Sequence, residues 1–159
     1  MRMVLGIDPG NSHSAYALLD AMRVKAFGKV QNGALLRTLQ PLAESKPICA
    51  VEMIASYGMP VGREVFDTCV FIGRVMERWY RLTNSDPSLV TRHEVKMEIC
   101  KNARARDSNI RAALMDLYGG ASTAVGKKAT PGPLYGVSGD VWAAIAVAIP
   151  PSRQIGMFR

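Results

Sequence analysis

The stretch Met3-Val4-Leu5-Gly6-Ile7-Asp8-Pro9-Gly10 decides the fold of this chain. A short apolar run ends on a carboxylate and passes directly into a Pro-Gly turn. Apolar runs of this length that are bounded by turn residues are typical of buried strands. The pattern therefore predicts a core strand that carries Asp8 at the end where the chain leaves the sheet.

Two further acids stand at the edges of apolar segments. Glu52 ends the run 48–51, and Asp140 precedes the run 141–149. Acids are poor strand residues and are costly to desolvate, so acids that end apolar runs indicate a functional role. Each acid alone also has a structural explanation, as a turn residue before proline (Asp8), a surface strand end (Glu52) or a helix N-cap (Asp140). We hypothesise that the three meet at one point and hold divalent metal for cutting nucleic acid.

The chemistry of phosphodiester hydrolysis explains why carboxylates are expected. The reaction needs an activated water and stabilisation of charge on the attacking and leaving oxygens, and two Mg²⁺ ions roughly 3.5–4 Å apart can do both. Mg²⁺ prefers carboxylate oxygens and keeps several waters, so three acids and the substrate phosphate suffice. Asp8, Glu52 and Asp140 are therefore the candidate catalytic residues and metal ligands.

The length and the composition of the chain predict one globular domain over residues 1–159. The chain is 48% hydrophobic, which is enough for a real core, and its formal net charge of +7 favours a polyanionic partner. The three cysteines are odd in number and lack CxxC spacing, so we expect buried free thiols and a reducing compartment. No signal-type start or membrane-length apolar run is present, which predicts a soluble, cytoplasmic protein without a membrane partner.

The order of predicted elements is three meandering strands, a helix, a strand, and then helices with one short strand. The predicted elements are strands 3–8, 14–19 and 23–30, a helix from Asn32, strand 48–52, helix 61–82, strand 88–91, helix 94–100, a helix capped by Asp107 or Ser108 and ending at 119–120, a mobile basic loop 120–136, and helix 141–149 stopped by Pro150-Pro151. The apolar residues of helix 61–82 form either core or a dimer face.

Basic residues concentrate in the second half of the chain. Residues 92–128 carry eight Lys or Arg and four Asp or Glu. Phosphate contacts dominate nucleic-acid affinity, so this cluster is a candidate DNA-binding surface, although a solvated helix face explains it as well. The candidate residues are Lys96, Lys101, Arg104, Arg106, Arg111, Lys127 and Lys128. Tyr57 joins them, because it can stack on an unpaired base or pack against helix 61–82.

The element order and three motifs resemble the RuvC-type Holliday junction resolvases, whose fold is ribonuclease H-like. Gly6-Ile7-Asp8-Pro9-Gly10 looks like their first motif, Ala50-Val51-Glu52 is similar to the second, and the segment 139–148, which opens with Asp140, resembles the last. The form of segment 132–136 looks more like phage-borne members than cellular ones. The resemblance implies an α/β fold with a mixed five-stranded sheet flanked by helices.

The resemblance also implies a function. The family forms homodimers that bind four-way DNA junctions and nick two strands symmetrically with Mg²⁺ or Mn²⁺, and a two-fold dimer suits a two-fold junction. It carries Asp8, Glu52 and Asp140 over as metal ligands. Two departures stand out. Val137 occupies a position where cellular members usually have another acid, and Ala55 lies where they tend to have an aromatic residue.

Three other functions stay open at this level. A debranching nuclease with loose structural selectivity needs the same three acids. A catalytically weak junction-binding module accounts for Val137. An actin-like ATPase or kinase also opens with a strand, an acid and a Gly-containing turn, but it needs two such domains, and 159 residues hardly provide both.

Overall fold

The computed structural model describes residues 2–21 and 23–158. A mixed five-stranded sheet with strand order β3-β2-β1-β4-β5 lies at the centre, as predicted. Strands β1 to β3 form an antiparallel meander, and β4 and β5 run parallel to β1. The strands are β1 (Val4–Asp8), β2 (His13–Asp20), β3 (Arg23–Gln31), β4 (Ile48–Met53) and β5 (Ser88–Thr91).

Helices cover both faces of this sheet. The helices are α1 (Asn32–Ala43), α2 (Arg63–Thr83), α3 (Arg92–Cys100), α4 (Asp107–Leu117), α5 (Ala121–Val125) and α6 (Val141–Gln154). Helices α1 and α2 bury one face, and α6 with α3 and α4 buries the other. Among the described residues, no helix combines the length and the hydrophobicity that crossing a bilayer requires.

Successive residues of β1 point to opposite faces of the sheet. Because helices cover both faces, the strand is one continuous apolar run. Leu5 and Ile7 pack on the α1–α2 side, whereas Val4 packs on the α6 side. In β4, Val51 faces α1 and α2, and Ala50 faces α6. By this alternation the acids that end the two strands face the side of the sheet that α6 covers.

Gly6 lets α6 lie directly on β1. A Cβ atom at this position would come within 2.0 Å of the carbonyl oxygen of Ala144 and 3.0 Å of the Cβ of Ala148. Residues 144–149 of α6 are fully buried. The alanines of α6 therefore keep the helix thin enough for this close contact with the sheet.

A hydrogen-bond cluster holds the turn that follows Asp8. The backbone N–H of Gly10 donates to Ser14 Oγ (3.1 Å), and Ser14 Oγ donates to Asn32 Oδ1 (2.7 Å). Asn32 Nδ2 then donates to the carbonyl oxygen of Gly10 (3.0 Å), which closes the ring. Ser14 is buried, so its hydroxyl needs these partners. The cluster joins β1, β2 and the start of α1, and it holds the exit of β1.

The prediction that Pro150-Pro151 stops the last helix is wrong. Helix α6 continues to Gln154, with both prolines inside it. Prolines remove backbone N–H donors and normally end a helix. Here Pro151 and Ser152 are buried, and Ser152 Oγ donates to the carbonyl oxygen of Ala148. Burial of the last turn and this hydrogen bond outweigh the local cost of the prolines.

The segment 120–136 is not a plain loop. It contains the short helix α5 and a two-stranded ribbon of β6 (Gly126–Lys127) and β7 (Thr130–Pro131). Leu134 is fully buried and its backbone N–H donates to the carbonyl oxygen of Ala124. Gly, Pro, Ser and Thr content predicted a loop, but Ala124 and Leu134 are both buried in the core and attach the segment to it.

Two helix starts also differ from the prediction. Helix α3 begins at Arg92 rather than Glu94, because Thr91 and Glu94 form a reciprocal capping box. Helix α4 has Arg106 at its N-cap position, so neither Asp107 nor Ser108 caps it, and the backbone N–H of Arg106 donates to Asn109 Oδ1 (2.8 Å).

The apolar residues of α2 are divided between the core and the surface. The helix buries Thr68, Phe71, Ile72, Val75 and Trp79. The apolar residues Phe66, Val70 and Tyr80 are exposed instead, along with Gly73. The cysteines are free, as predicted, but only Cys49 is buried and Cys69 and Cys100 are half-buried.

Gly6→Ala tests the close contact between β1 and α6. We expect the free energy of unfolding to fall by about 3 kcal/mol, because the added Cβ forces α6 off the sheet. Urea denaturation measures the change. In the control Gly33→Ala the added Cβ meets only Arg37 Nη1, at 3.9 Å, so its stability should stay the same or rise by up to about 1 kcal/mol. Equal stability of both variants would contradict the packing argument.

Candidate active site

Asp8 and Glu52 lie side by side at the carboxyl ends of two parallel strands. Ile7 pairs with Val51, so the next residue of each strand is one of the two acids. Their carboxyl groups are close enough to interact, since Glu52 raises the pKa of Asp8. Both side chains are partly shielded from water, since Asp8 is half-buried and the Glu52 side chain is 17% exposed.

This environment raises the pKa of Asp8 to about 8. Burial is the largest cause, the charge and hydrogen bond of Glu52 follow, and the charge of Asp140 adds a smaller effect. The nearby Arg92 acts in the opposite direction and lowers the pKa of Asp8. A divalent cation relieves such repulsion because it favours both carboxylates in their charged form.

Asp140 is near this pair but is held by a lysine. It stands at the N-cap position of α6, yet its carboxylate makes no capping hydrogen bond. Its Oδ2 lies 2.7 Å from Lys29 Nζ, and the two side chains are about equally exposed. The hydrogen bond and charge of Asp140 raise the pKa of Lys29.

The carboxylates offer an oxygen-only ligand set of the kind that Mg²⁺ prefers. Asp8 and Glu52 suit such an ion, since they stand side by side at the ends of β1 and β4. Within residues 2–21 and 23–158, no three His, Cys, Asp or Glu side chains come close enough together for one metal ion. The structure therefore joins Asp8 to Glu52 and leaves Asp140 beside them, paired with Lys29.

Arg92 is a site residue that the sequence analysis did not single out. It is the first residue of α3, directly after β5, whose residue Val90 pairs with Glu52. Its guanidinium lies 3.9 Å from Glu52 Oε1 and makes an ion pair with Asp107. The sequence signal for Arg92 was its position directly after a short predicted strand. Because this strand, β5, pairs with β4, Arg92 lies beside the end of β4.

Two cavities meet at Arg92. One of about 300 Å³ contains the acids of β1 and β4, and its lining residues are Asp8, Pro9, Glu52, Met53, Ile54, Ala55, Tyr57 and Arg92. The other, of about 90 Å³, is lined by Arg92, Asp107, Ile110, Arg111, Gly139, Asp140, Trp142 and Ala143. Tyr57 is 67% exposed at the rim of the first cavity, so it is not packed into the core against α2.

Only one of the seven predicted basic residues lines these cavities. The guanidinium of Arg111 lies 5.2 Å from the ring centroid of Trp142, in the cavity that also contains Asp140. The others are Lys96, which is half-buried on α3, and the exposed Lys101, Arg104, Arg106, Lys127 and Lys128. His13 is exposed at the start of β2, where Nδ1 lies 3.1 Å from Ser12 Oγ.

The mixed five-stranded sheet and its flanking helices match the RuvC form of the ribonuclease H-like fold, which confirms the predicted fold class. The chain is similar to the RuvC structure of Thermus thermophilus, with a TM-score of 0.72 and 15% identity over 99% of this chain and 98% of that one. It is similarly close to T. thermophilus RuvC in complex with a Holliday junction substrate, with a TM-score of 0.71 and 15% identity over 100% and 99% of the two chains. No protein-family model matches the chain, and no curated protein matches it significantly.

The raised pKa of Asp8 predicts a pH-dependent stability in metal-free protein. Between about pH 4 and pH 8 the folded state keeps the Asp8 proton and the unfolded state does not, so the free energy of unfolding falls as pH rises. With chelator present, we expect a fall of about 1 kcal/mol per pH unit from pH 5 to pH 8. Urea denaturation at each pH measures it.

Asp8→Asn removes the titrating group and should give a nearly flat profile over this range. Asp20→Asn, at the far end of β2 and paired with Lys25, is the control and should follow the wild type. Parallel profiles for wild type and Asp8→Asn would contradict the assignment.

Proposed function

We propose that this protein is a metal-dependent, structure-selective endonuclease that resolves four-way and related branched DNA junctions by symmetric nicking. The observation that carries the proposal is the contact between Asp8 and Glu52 at the ends of β1 and β4. The fold supports it, since the chain superposes over its full length on a RuvC structure in complex with a Holliday junction substrate.

The roles of the site residues follow from their chemistry. Asp8 and Glu52 would hold Mg²⁺, or Mn²⁺ in its place, with Asp140 as a further ligand. The bound ion would supply a Lewis acid for phosphodiester hydrolysis. Arg92 neutralises part of the charge on Glu52 and presents a guanidinium between the two cavities, where it can contact a DNA phosphate.

The DNA surface combines charge and stacking. The exposed basic residues of 101–106 lie between α3 and α4 and provide phosphate contacts, and Arg111 provides another beside Asp140. Lys96, Lys127 and Lys128 extend the basic surface. Tyr57 stands at the rim of the cavity that contains Asp8 and Glu52, in position to stack on an unpaired base.

The proposed active form is a homodimer that pairs through α2. Phe66, Val70, Gly73 and Tyr80 recur at helical spacing and are exposed, which leaves an apolar stripe next to the buried face of the helix. A two-fold dimer presents one active site to each of two opposed strands. Sedimentation velocity measures the association state directly, and a monomer at micromolar concentration would count against this part of the proposal.

A specific observation favours one alternative, a catalytically weak junction-binding module. Val137 is half-buried and packs against the core, Asp140 is paired with Lys29, and in the described part of the chain no three metal-ligating side chains come together. Cleavage of several branched DNA substrates also tests the third candidate, a debranching nuclease with loose structural selectivity. A phage origin and action in the cytoplasm of a host cell stay predictions.

Cleavage of a labelled synthetic four-way junction tests the function. With Mg²⁺ or Mn²⁺ we expect paired symmetric nicks, which chelator abolishes and which Asp8→Asn reduces by at least about a hundredfold, because an essential metal ligand is lost. Junction binding by Asp8→Asn should survive. Asp20→Asn, which changes the same residue type far from the site, should cut at the wild-type rate.

The outcomes separate the candidate functions. Equal cutting of three-way and flap substrates would indicate a debranching nuclease. Binding without cleavage under both metals would indicate a junction-binding module, and the absence of both would overturn the proposal.

Charge reversal tests the basic surface. Replacing Lys101, Arg104 and Arg106 by glutamate should weaken junction binding at least tenfold at moderate salt and reduce the slope of log K against log salt by about one for each lost phosphate contact. The matched control reverses Arg2, Arg37 and Lys46, which are exposed and lie outside residues 92–128. If both triple variants bind equally, net charge rather than this surface controls the affinity.

A further inference from the structure

Lys29 reaches the acids from across the sheet. Asp8 pairs with Ala15, and Ala15 pairs with Lys29, so the three residues stand in one row over β1, β2 and β3. Cross-strand neighbours of this kind point to the same face. Ala15 is small and buried, and it leaves room above the sheet for the lysine to extend towards Asp140.

Contacts on β3 and α6 bring the two charged groups together. Phe27 packs in the same cluster as α6, and its ring lies 3.7 Å from the position of a Cβ on Gly136, just before the segment that leads to Asp140. The ammonium of Lys29 then lies 2.7 Å from Asp140 Oδ2. The charge of Asp8 also raises the pKa of Lys29, as a smaller effect than that of Asp140.

We propose that Lys29 is a positioning residue that controls how many divalent ions the site holds. In DNA-free protein its ammonium group is paired with the Asp140 carboxylate, so a single ion binds, at Asp8 and Glu52. A second ion binds only when Lys29 leaves Asp140. The inference rests on the proposed function, because it assumes that the carboxylates are metal ligands.

The exposure of the ion pair suits this role. About half of each side chain is open to solvent, and ion pairs of this kind contribute little to folding stability. A DNA phosphate is a strong alternative partner for a lysine. Phosphate binding would draw Lys29 away from Asp140 and free that carboxylate for a second cation, which couples the arrival of substrate to completion of the site.

Counting bound Mn²⁺ tests the inference without any measurement of activity. Electron paramagnetic resonance of free Mn²⁺, in titrations of DNA-free protein, gives the number of ions bound per chain. We expect one ion for the wild type and two for Lys29→Met, with the second ion bound at least about tenfold more tightly than in the wild type. Lys29→Arg, which keeps the positive charge, should bind one.

Two controls identify the carboxylate involved. Lys25→Met removes another lysine of β3 that pairs with Asp20, so it should bind one ion like the wild type. The double variant Lys29→Met with Asp140→Asn should also bind one, because the second ion needs the Asp140 carboxylate. Circular dichroism and thermal melting confirm that each variant folds.

The results distinguish this inference from the proposed function. Two ions in the wild type, or one in Lys29→Met, would overturn the role of Lys29 and leave the metal-dependent function intact. Two ions in the double variant would place the second ion away from Asp140 and also overturn it. Absence of metal binding in every variant would instead contradict the proposed function.

Discussion

The close contact between β1 and α6 at Gly6 is the constraint on which the rest of the structure depends. Because residue 6 has no Cβ, the backbone of α6 reaches the sheet at Ala144, one helical turn after Asp140. Two residues after Gly6, the strand ends at Asp8. The contact thus sets the start of α6 beside the end of β1, and it brings acids that are more than 130 residues apart in sequence to one edge of the sheet.

Basic side chains compensate part of the negative charge that the carboxylates bring to the site. Three carboxylates near one point repel one another, and burial of Asp8 beside Glu52 makes its ionisation less favourable, which raises its pKa. Two cations offset this repulsion. Arg92 faces Glu52 from α3, and Lys29 pairs with Asp140 from β3. Each cation comes from a different element and contacts a different acid, so the folded protein tolerates the carboxylates near one another.

Most of the fold follows from patterns within short stretches of the chain. The run that ends at Asp8 and the alternating segment 23–30 predict strands, and both belong to the antiparallel meander of the observed sheet. Prediction fails where distant packing outweighs local preference. Burial keeps Pro150-Pro151 inside α6, and the buried Leu134 gives structure to the segment 120–136. The stripe of α2 that contains Val70 is apolar in sequence, and only the placement of the sheet shows that this stripe faces solvent.

The same distinction holds for the site. Local sequence singled out Asp8, Glu52 and Asp140 as a set, because acids that end apolar runs are costly to desolvate, and their role as metal ligands stays a prediction. Local sequence was not sufficient to find Lys29 and Arg92, which look like ordinary surface cations in their own segments. Their meeting with the acids depends on the register of β2 with β3 and on the parallel pairing of β4 with β5. Hydrophobic period and turn residues are properties of a few neighbouring amino acids, whereas charge pairs between strands and helices exist only after the chain has packed.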